Sequence, residues 1–310
     1  MLTSVKIIAT PIMSSEFDEK SLFSYSDDEL SRLIDKAPVL APNVYVLSPK
    51  LVAKHVVPEV LEDAVKAMEV AHALGIRVPF PRRTIKNDSS AYCIMDLIGG
   101  VTLEEEWSKL GWFTTIRLAM QLRGFIRQLR SVTSQYAGSL VSGECKSFWL
   151  DDRFRIPDKS APSTITSFFR FWIDFVSIRK AKANASIPPL PSTAWISATA
   201  NTLVLTHHDL APRNILLDRR NQIWLVDWDF AGFYPKYFEY AAMHEFNIRE
   251  SWNWFARLRW RVFSCISAGF FEREKRVLGV IQTKFTRWRV GRRFEIMQNG
   301  APCKYQPSID

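Results

Sequence analysis

The stretch LTHHDLAPRNILLDRRNQIWLVDWDFAGFYP, residues 205–235, decides the fold. A loop that carries His207, Asp209 and Asn214 follows a short apolar segment, and a second apolar segment, IWLV, ends directly at Asp227. Phosphoryl transfer needs one carboxylate to accept or orient a hydroxyl, and an amide oxygen and a second carboxylate as hard ligands for Mg²⁺. Asp209 fits the role of the first carboxylate, and Asn214 and Asp227 fit the roles of the two metal ligands.

A purely structural interpretation of the same residues is also available. His207 and Asp209 could cap a turn, Asn214 could form an Asx turn, and Asp227 could end its strand as an ordinary solvated carboxylate. Each residue alone favours that interpretation. Their combination at these spacings, between apolar strands, favours a nucleotide site instead.

The pattern HxDLxPxN followed by DWD resembles the aminoglycoside phosphotransferase and choline kinase superfamily, whose fold is that of the protein kinases. The flanking sequences THHDLAPRNILLD and VDWDFAGFYPKYFEY resemble the fungal branch of aminoglycoside phosphotransferase-like proteins. The resemblance implies that Asp209 is the catalytic base and that His207 supports the catalytic loop. It also implies that Asn214 and Asp227 are metal ligands, with Asp229 as a further acid of the metal site.

Some residues depart from the pattern of protein kinases. Ala211 stands where protein kinases carry the catalytic-loop lysine of DLK, DWD replaces DFG, and there is no APE motif. The segment DKAPVLAPN, residues 35–43, contains no glycine, so a phosphate-covering loop there must be short or different from that of protein kinases. His208 has no counterpart and is interpreted as a loop residue.

The alanine at position 211, the DWD motif and the lack of an APE motif favour a small-molecule acceptor over a protein side chain.

The first hundred residues predict a small antiparallel sheet with one helix packed on it. A capping box at Ser26 begins a short helix, and two β-rich segments, residues 44–47 and 51–57, form a hairpin. A helical pattern runs from Pro58 to about Gly75, with apolar residues on one face. Two further strands flank a polar turn at residues 87–90.

The same resemblance assigns nucleotide-binding residues to this part of the chain. Lys54, on the second strand of the hairpin, falls where the family carries its nucleotide lysine, although a single lysine in a strand is otherwise an exposed edge charge. Glu62 is the chosen acid partner, although an alignment of the helix through Ala67 and Met68 puts Ala64 at the expected place, with Asp63 beside it. The segment AYCIMDLIGG resembles the hinge that contacts the adenine, and the expected contacts come from the backbone of Asp96, Leu97 and Ile98.

The rest of the chain predicts a mainly helical lobe. A long amphipathic helix should present Ile116, Ala119, Met120, Ile126 and Leu129 on its buried face, with Arg123 as the misfit. We interpret residues 136–163 as an irregular surface connection. Further helices are predicted at 165–178, from Ser192, and over 238–294, with strands at 203–205, 215–217 and 223–226. We therefore expect an α+β, bilobal, protein kinase-like fold with lobes at residues 1–98 and 99–310.

The charge of the chain is regional. Its 310 residues carry 41 Lys and Arg against 32 Asp and Glu, a formal charge of +9, and residues 257–293 alone hold eleven Lys and Arg against two Glu. A basic, Trp-rich segment could bind nucleic acid through phosphate contacts and base stacking. However, its apolar residues recur at helical spacing, which indicates a helix that buries one apolar stripe and carries its arginines on the opposite face. We favour this interpretation. That stripe comprises Trp252, Phe255, Leu258, Val262 and Ile266.

These features exclude several classes of protein. No run of about 18 apolar residues is present, and the four cysteines have neither metal-ligand spacing nor the pattern of a disulfide framework. The N-terminus resembles neither a signal nor a transit peptide, so a cytoplasmic location is expected. We expect no membrane or nucleic-acid partner and favour a monomer.

The expected function is an ATP- and Mg²⁺-dependent phosphotransferase acting on a hydroxyl of a small molecule. The alternative is a non-catalytic pseudokinase of the same fold. The acceptor pocket should be built by residues 136–163 and the helices after 240. A cationic acceptor would require acids there, and the candidates are Asp151, Asp152 and Glu245.

Overall fold

The computed structural model describes residues 17–87, 90–152, 154–175, 202–245 and 252–288. The helix predicted from Ser192 and the C-terminal tail lie outside these residues. Three of the four cysteines are described, and Cys93, Cys145 and Cys265 are free thiols. Among the described residues, none of the helices has both the length and the apolar character needed to span a membrane.

The N-terminal part is a five-stranded antiparallel sheet in the order β1-β2-β3-β5-β4, with helices at its faces. The hairpin, the helix after Pro58 and the two later strands are confirmed. The boundary expected near residue 98 falls between β5 and the next strand. The elements are α1 (Asp27–Asp35), β1 (Val39–Ala41), β2 (Val44–Val46), β3 (Leu51–Val56), α2 (Leu61–Ala73), β4 (Pro81–Lys86) and β5 (Ala91–Asp96).

The Gly-free segment before the hairpin forms strand β1, which sequence analysis missed. Ala41 of β1 pairs with Val44 of β2, so only Pro42 and Asn43 lie between the two strands. Asn43 takes a left-handed conformation, with φ of 63°, which Asn tolerates better than most residues other than Gly. A tight turn therefore stands where protein kinases carry a glycine-rich loop.

The C-terminal part contains two three-stranded sheets, in the orders β10-β9-β6 and β11-β8-β7, surrounded by helices. Together with the N-terminal sheet, this arrangement confirms the α+β, bilobal fold. The strands are β6 (Gly100–Thr102), β7 (Thr133–Ser134), β8 (Leu203–Thr206), β9 (Ile215–Asp218), β10 (Ile223–Leu225) and β11 (Gly232–Pro235). The helices are α3 (Leu103–Glu106), α4 (Trp112–Arg130), α5 (Pro162–Asp174), α6 (Tyr237–Glu245), α7 (Trp254–Ala268) and α8 (Glu272–Arg287).

The predicted buried face of α4 was partly correct, and that of α7 was wrong. In α4, Ala119, Ile126 and Leu129 are buried as predicted, but Ile116 is 45% and Met120 is 56% exposed, and Leu118, Leu122 and Phe125 belong to the buried face. In α7, Phe255 is 56% exposed, and the buried stripe includes Ala256, Arg259, Trp260, Phe263 and Ser267. The arginines of α7 are therefore not all on the outer face.

The segment after β7 is irregular, as predicted, but it is not a surface connection. It buries Trp149, Leu150 and Ile156 in a second apolar core together with side chains of α5, α6 and α8. Asp152 lies within this core and accepts a hydrogen bond from Nε1 of Trp172 at 3.0 Å. Asp152 therefore has a structural contact and is not available as a pocket acid.

Candidate active site

The loop after β8 is held in place by the neutral ring of His207. The His207 Nε2–H donates to the main-chain oxygen of Val226 at 3.1 Å, and Nδ1 accepts from the Asp209 N–H at 3.3 Å. This pair of bonds fits the tautomer protonated on Nε2. Complete burial lowers the pKa of His207 to about 4, against the attraction of Asp227. The ring thus links the loop of Asp209 to the residue before Asp227.

Asp209 and Asn214 meet directly. The Asn214 side-chain amide donates to Asp209 Oδ2 at 2.8 Å and to its main-chain oxygen at 2.9 Å. Arg213 donates to the same carboxylate oxygen at 2.8 Å. Burial raises the pKa of Asp209, opposed by Arg213. Among the described residues, both side chains that donate to the Asp209 carboxylate bond to Oδ2. Its Oδ1 can therefore accept a hydrogen bond from a further donor.

Lys54 from the N-terminal sheet joins the two acids of the DWD motif. Its ammonium lies 2.5 Å from Asp227 Oδ1 and 2.7 Å from Asp229 Oδ1. Burial disfavours the ammonium ion, but the two carboxylates outweigh it and raise the pKa of Lys54. Burial also opposes ionisation of Asp227, whose pKa is nevertheless lowered by Lys54. A site in which one cation bridges two carboxylates is suited to binding a metal-bound polyphosphate.

The donor set fits Mg²⁺. Because the Asn214 NH₂ group is used on Asp209, the amide carbonyl oxygen is the atom left to bind a cation. Asp227 has φ of 69°, an uncommon conformation for a residue other than Gly, and such backbone conformations concentrate at functional sites. No cluster of three or more His, Cys, Asp or Glu suited to a metal occurs in the part of the chain described. The fit therefore rests on mixed amide and carboxylate oxygens, which is the chemistry that Mg²⁺ prefers.

His208 lies in the loop after β8, as predicted, but its side chain has a structural role that the sequence did not indicate. Its side chain is completely buried, stacked on Tyr234 with ring centroids 4.8 Å apart, and its Nε2 lies 2.9 Å from Ser147 Oγ. Its backbone is left-handed, with φ of 68°. The N–H groups of His207 and His208 both donate to Glu239 of α6, at 2.9 Å and 3.2 Å. Burial raises the pKa of Glu239 to about 7.

Glu239 was not predicted from the sequence, although one signal was present. Glu239 is an acid among the apolar and aromatic residues of KYFEYAAM, where a charge is otherwise unexpected. The structure explains it as an acceptor for two main-chain donors at a sharp turn. Glu239 and Ser147 therefore fix the loop of Asp209 from two sides.

The structure does not bring Glu62 to Lys54. Glu62 is exposed on α2, whereas the neighbouring Asp63 is only 4% exposed. Asp63 accepts hydrogen bonds from the N–H groups of Val141 and Ser142 at 2.7 and 3.0 Å, and from Ser142 Oγ at 2.7 Å. Among the described residues, Lys54 instead forms ion pairs with Asp227 and Asp229. Asp63 of α2 thus binds the irregular segment and does not pair with Lys54.

The expected hinge lies at the end of β5. The Asp96 N–H donates to Phe80 O at 3.2 Å, and the Leu97 N–H donates to Lys50 O at 2.7 Å. The Asp96 carboxylate pairs with Arg82 at 2.7 Å. Of the three residues expected to contact the adenine, Asp96 and Leu97 thus use their main-chain N–H groups within the protein.

A cavity of about 500 Å³ lies between the start of α2 and the irregular segment. Its lining includes Glu59, Lys146, Phe148, Asp151 and Phe230. Phe230 directly follows Asp229, and Phe148 stacks on His208 with ring centroids 5.8 Å apart. The cavity therefore lies beside the candidate site, and the predicted pocket acid Asp151 lines it. The side chain of Glu245, another predicted pocket acid, lies outside the part of the chain described.

Comparisons with solved structures list aminoglycoside phosphotransferases and a choline kinase. The aminoglycoside phosphotransferase APH(3'')-Id from Streptomyces rimosus, in complex with ADP and streptomycin, is 16% identical, with a TM-score of 0.47, covering 81% of this chain and 92% of that one. The choline kinase LicA from Streptococcus pneumoniae is 13% identical, with a TM-score of 0.42, covering 81% of each chain. A search of curated proteins found no significant match.

The comparison with protein families gives a match over most of the chain. Residues 41–263 match the family described as "Phosphotransferase enzyme family". The matched range begins at the end of β1 and runs into α7, so it includes Lys54, the loop of Asp209 and the DWD motif. The resemblance stated from the motifs is confirmed, and the chain belongs to the phosphotransferase enzyme family.

Proposed function

We propose that this chain transfers the γ-phosphoryl group of ATP, in the presence of Mg²⁺, to a hydroxyl group of a small molecule. The observation that carries the proposal is the meeting of Lys54 with Asp227 and Asp229, next to the Asp209 and Asn214 pair. Lysine, amide and carboxylates are the groups that phosphoryl transfer uses. Membership in the phosphotransferase enzyme family supports the same reaction.

Each residue has a distinct role in this proposal. Lys54 binds the phosphates of ATP, and Asn214 and Asp227, with Asp229 close by, hold Mg²⁺. When bound, Mg²⁺ neutralises charge on the phosphate oxygens. The backbone of Ile98 at the hinge is proposed to contact the adenine. Glu62 is not carried into this set, because its side chain is exposed on α2.

Asp209 orients the acceptor and takes its proton. A bond forms between the acceptor oxygen and the γ-phosphorus while the bond from that phosphorus to the bridging oxygen breaks, and ADP leaves with the electron pair. Burial raises the pKa of Asp209, which makes it a better base than an ordinary carboxylate. We propose that the acceptor enters through the cavity that contains Phe148 and Phe230.

The test is ADP release by the purified chain with MgATP and a panel of hydroxylated small molecules, combined with calorimetry of MgADP binding. Acceptor-dependent release of ADP is the expected result. Absence of MgADP binding would rule out the proposal.

A pseudokinase is the second candidate, because only Pro42 and Asn43 separate β1 and β2, so the phosphate-covering segment is short and lacks glycine. The same experiment distinguishes the two candidates. MgADP binding without turnover on any acceptor, and without ATP hydrolysis, would favour the pseudokinase. We place it second because Lys54, Asp209, Asn214 and Asp227 are all present.

A further inference from the structure

Arg213 joins the proposed base to the open side of the site. Its Nη2 donates to Asp209 Oδ2 at 2.8 Å, and 52% of the Arg213 side chain is exposed although Asp209 is buried. Arg213 belongs to a 3₁₀ turn over Pro212–Asn214, in which both neighbouring residues are buried. The turn fixes the base of the side chain, while the guanidinium remains accessible.

Arg213 is bonded directly to the acid that receives the acceptor proton in the proposed reaction. The distance from its Nη2 to Asp209 Oδ2 is 2.8 Å. The acceptor oxygen that loses its proton to Asp209 is the atom that attacks the γ-phosphorus. The Arg213 guanidinium therefore lies close to the position of the transferring phosphoryl group.

The loop carries no other basic side chain at the corresponding place. Ala211, where protein kinases have a lysine, is apolar and completely buried. The phosphoryl group in transfer bears negative charge on three oxygens, and preorganised cations lower the energy of that state. Lys54 supplies such a cation from the N-terminal sheet, and Arg213 is positioned to supply one from the catalytic loop.

We propose that Arg213 is a catalytic residue whose guanidinium binds the oxygens of the phosphoryl group during transfer. The inference rests on the proposed function. Only Nη2 of Arg213 is bonded to Asp209. The other N–H groups of the planar guanidinium are therefore left to donate to phosphoryl oxygens.

A purely structural role for Arg213, as a support for Asp209, is the alternative. Asn214 already donates to the same oxygen and to the Asp209 main chain, at 2.8 and 2.9 Å. Without Arg213, the Asp209 carboxylate therefore keeps one bond from Asn214, and its main-chain oxygen keeps another. Since Asn214 also holds Asp209 in place, we infer that Arg213 has a role other than positioning Asp209.

The test compares the binding of MgADP with that of MgADP and fluoroaluminate, which together mimic the phosphoryl group in transfer. Calorimetry is performed on the wild type, Arg213→Met, Arg213→Lys and the control Arg219→Met, which alters an exposed arginine in the β9–β10 turn. Arg213→Met should bind MgADP within about threefold of the wild type and lose about 100-fold in affinity for the fluoroaluminate complex. Arg213→Lys should lose about tenfold, because it keeps the charge without the fork, and Arg219→Met should match the wild type.

The remaining outcomes overturn the inference. If Arg213→Met keeps wild-type affinity for the fluoroaluminate complex, or loses affinity for both complexes equally, Arg213 has no such role and the proposed function stands. If fluoroaluminate does not tighten MgADP binding to the wild type, the inference about Arg213 is also overturned and the proposed function stands. If the wild type binds no MgADP, the proposed function and this inference both fail.

Discussion

Lys54 and Asp227 lie 173 positions apart in the chain, and the lysine ammonium is 2.5 Å from the aspartate carboxylate. This contact connects the N-terminal sheet to the end of the β10 segment. It also keeps Asp227 and Asp229, two carboxylates of like charge, in one small site. Removing the lysine should therefore change both stability and the response to metal.

We predict that Lys54→Met lowers the free energy of unfolding by about 2 kcal/mol, because two partly buried carboxylates lose their counter-charge. Mg²⁺ alone should then raise the melting temperature of Lys54→Met more than that of the wild type. Thermal denaturation with and without Mg²⁺ measures this difference. Lys50→Met, which changes a lysine that is 79% exposed in the same hairpin, is the control. An equal response of Lys54→Met and wild type to Mg²⁺ would refute the prediction.

Asp63 and Glu62 provide a matched pair on α2. Asp63→Ala should cost about 2–3 kcal/mol in urea denaturation, because it leaves the N–H groups of Val141 and Ser142 without their acceptor. Glu62→Ala should stay within about 0.5 kcal/mol of the wild type, since the side chain is exposed. Equal losses for the two variants would show that the contact of Asp63 with the irregular segment contributes little.

Lys54, Asp209 and Asn214 could be proposed as site residues from the sequence because they belong to short motifs with fixed spacing between strands. Of the residues that contact the loop of Asp209, His207 was expected, whereas Glu239 and Ser147 were not. Asp63 contacts Ser142 across 79 positions, and Ser147 reaches His208 across 61. Both partners lie in an irregular segment that has no hydrophobic periodicity, so nothing local indicated which way its side chains point.

The buried faces of the helices were mispredicted in part for a related reason. Spacing of three and four residues fits more than one face of a long helix, so the exposed Ile116 and Met120 were assigned to the same face as the buried Ala119 and Ile126. The packing partners that select the true face, α7 and β8, lie more than seventy positions later. Arg123, the misfit of the predicted face, donates to Ile266 O at 3.2 Å.

His208 should make stability depend on pH. Its folded pKa is lowered by burial to about 3 from 6.5, so stability is present above pH 6.5 and is lost as pH falls toward 3. Between about pH 7 and about pH 5 the expected loss is about 2 kcal/mol. His208→Asn, which tolerates the left-handed backbone, should show a smaller decrease over this range in denaturant unfolding. Identical pH slopes for the two proteins would contradict the assignment.

The basic helix α7 should be tested at two arginines. The Arg259 guanidinium donates to Trp107 O at 2.6 Å and lies 5.4 Å from the Trp107 ring centroid. Arg259→Ala should therefore destabilise the chain by about 2 kcal/mol, whereas Arg261→Ala, at an exposed position, should have little effect. Neither variant should alter binding to generic RNA. Salt-sensitive RNA binding that either substitution abolishes would favour the nucleic-acid alternative.

The most direct test of the proposed reaction is the turnover of Asp209→Asn on an acceptor identified with the wild type. The substitution keeps the shape of the side chain but removes its basicity. Acceptor-dependent ADP release should fall by about 1,000-fold, while MgADP binding measured by calorimetry should stay within about threefold of the wild type. Wild-type turnover by Asp209→Asn would contradict the assignment of Asp209 as the base.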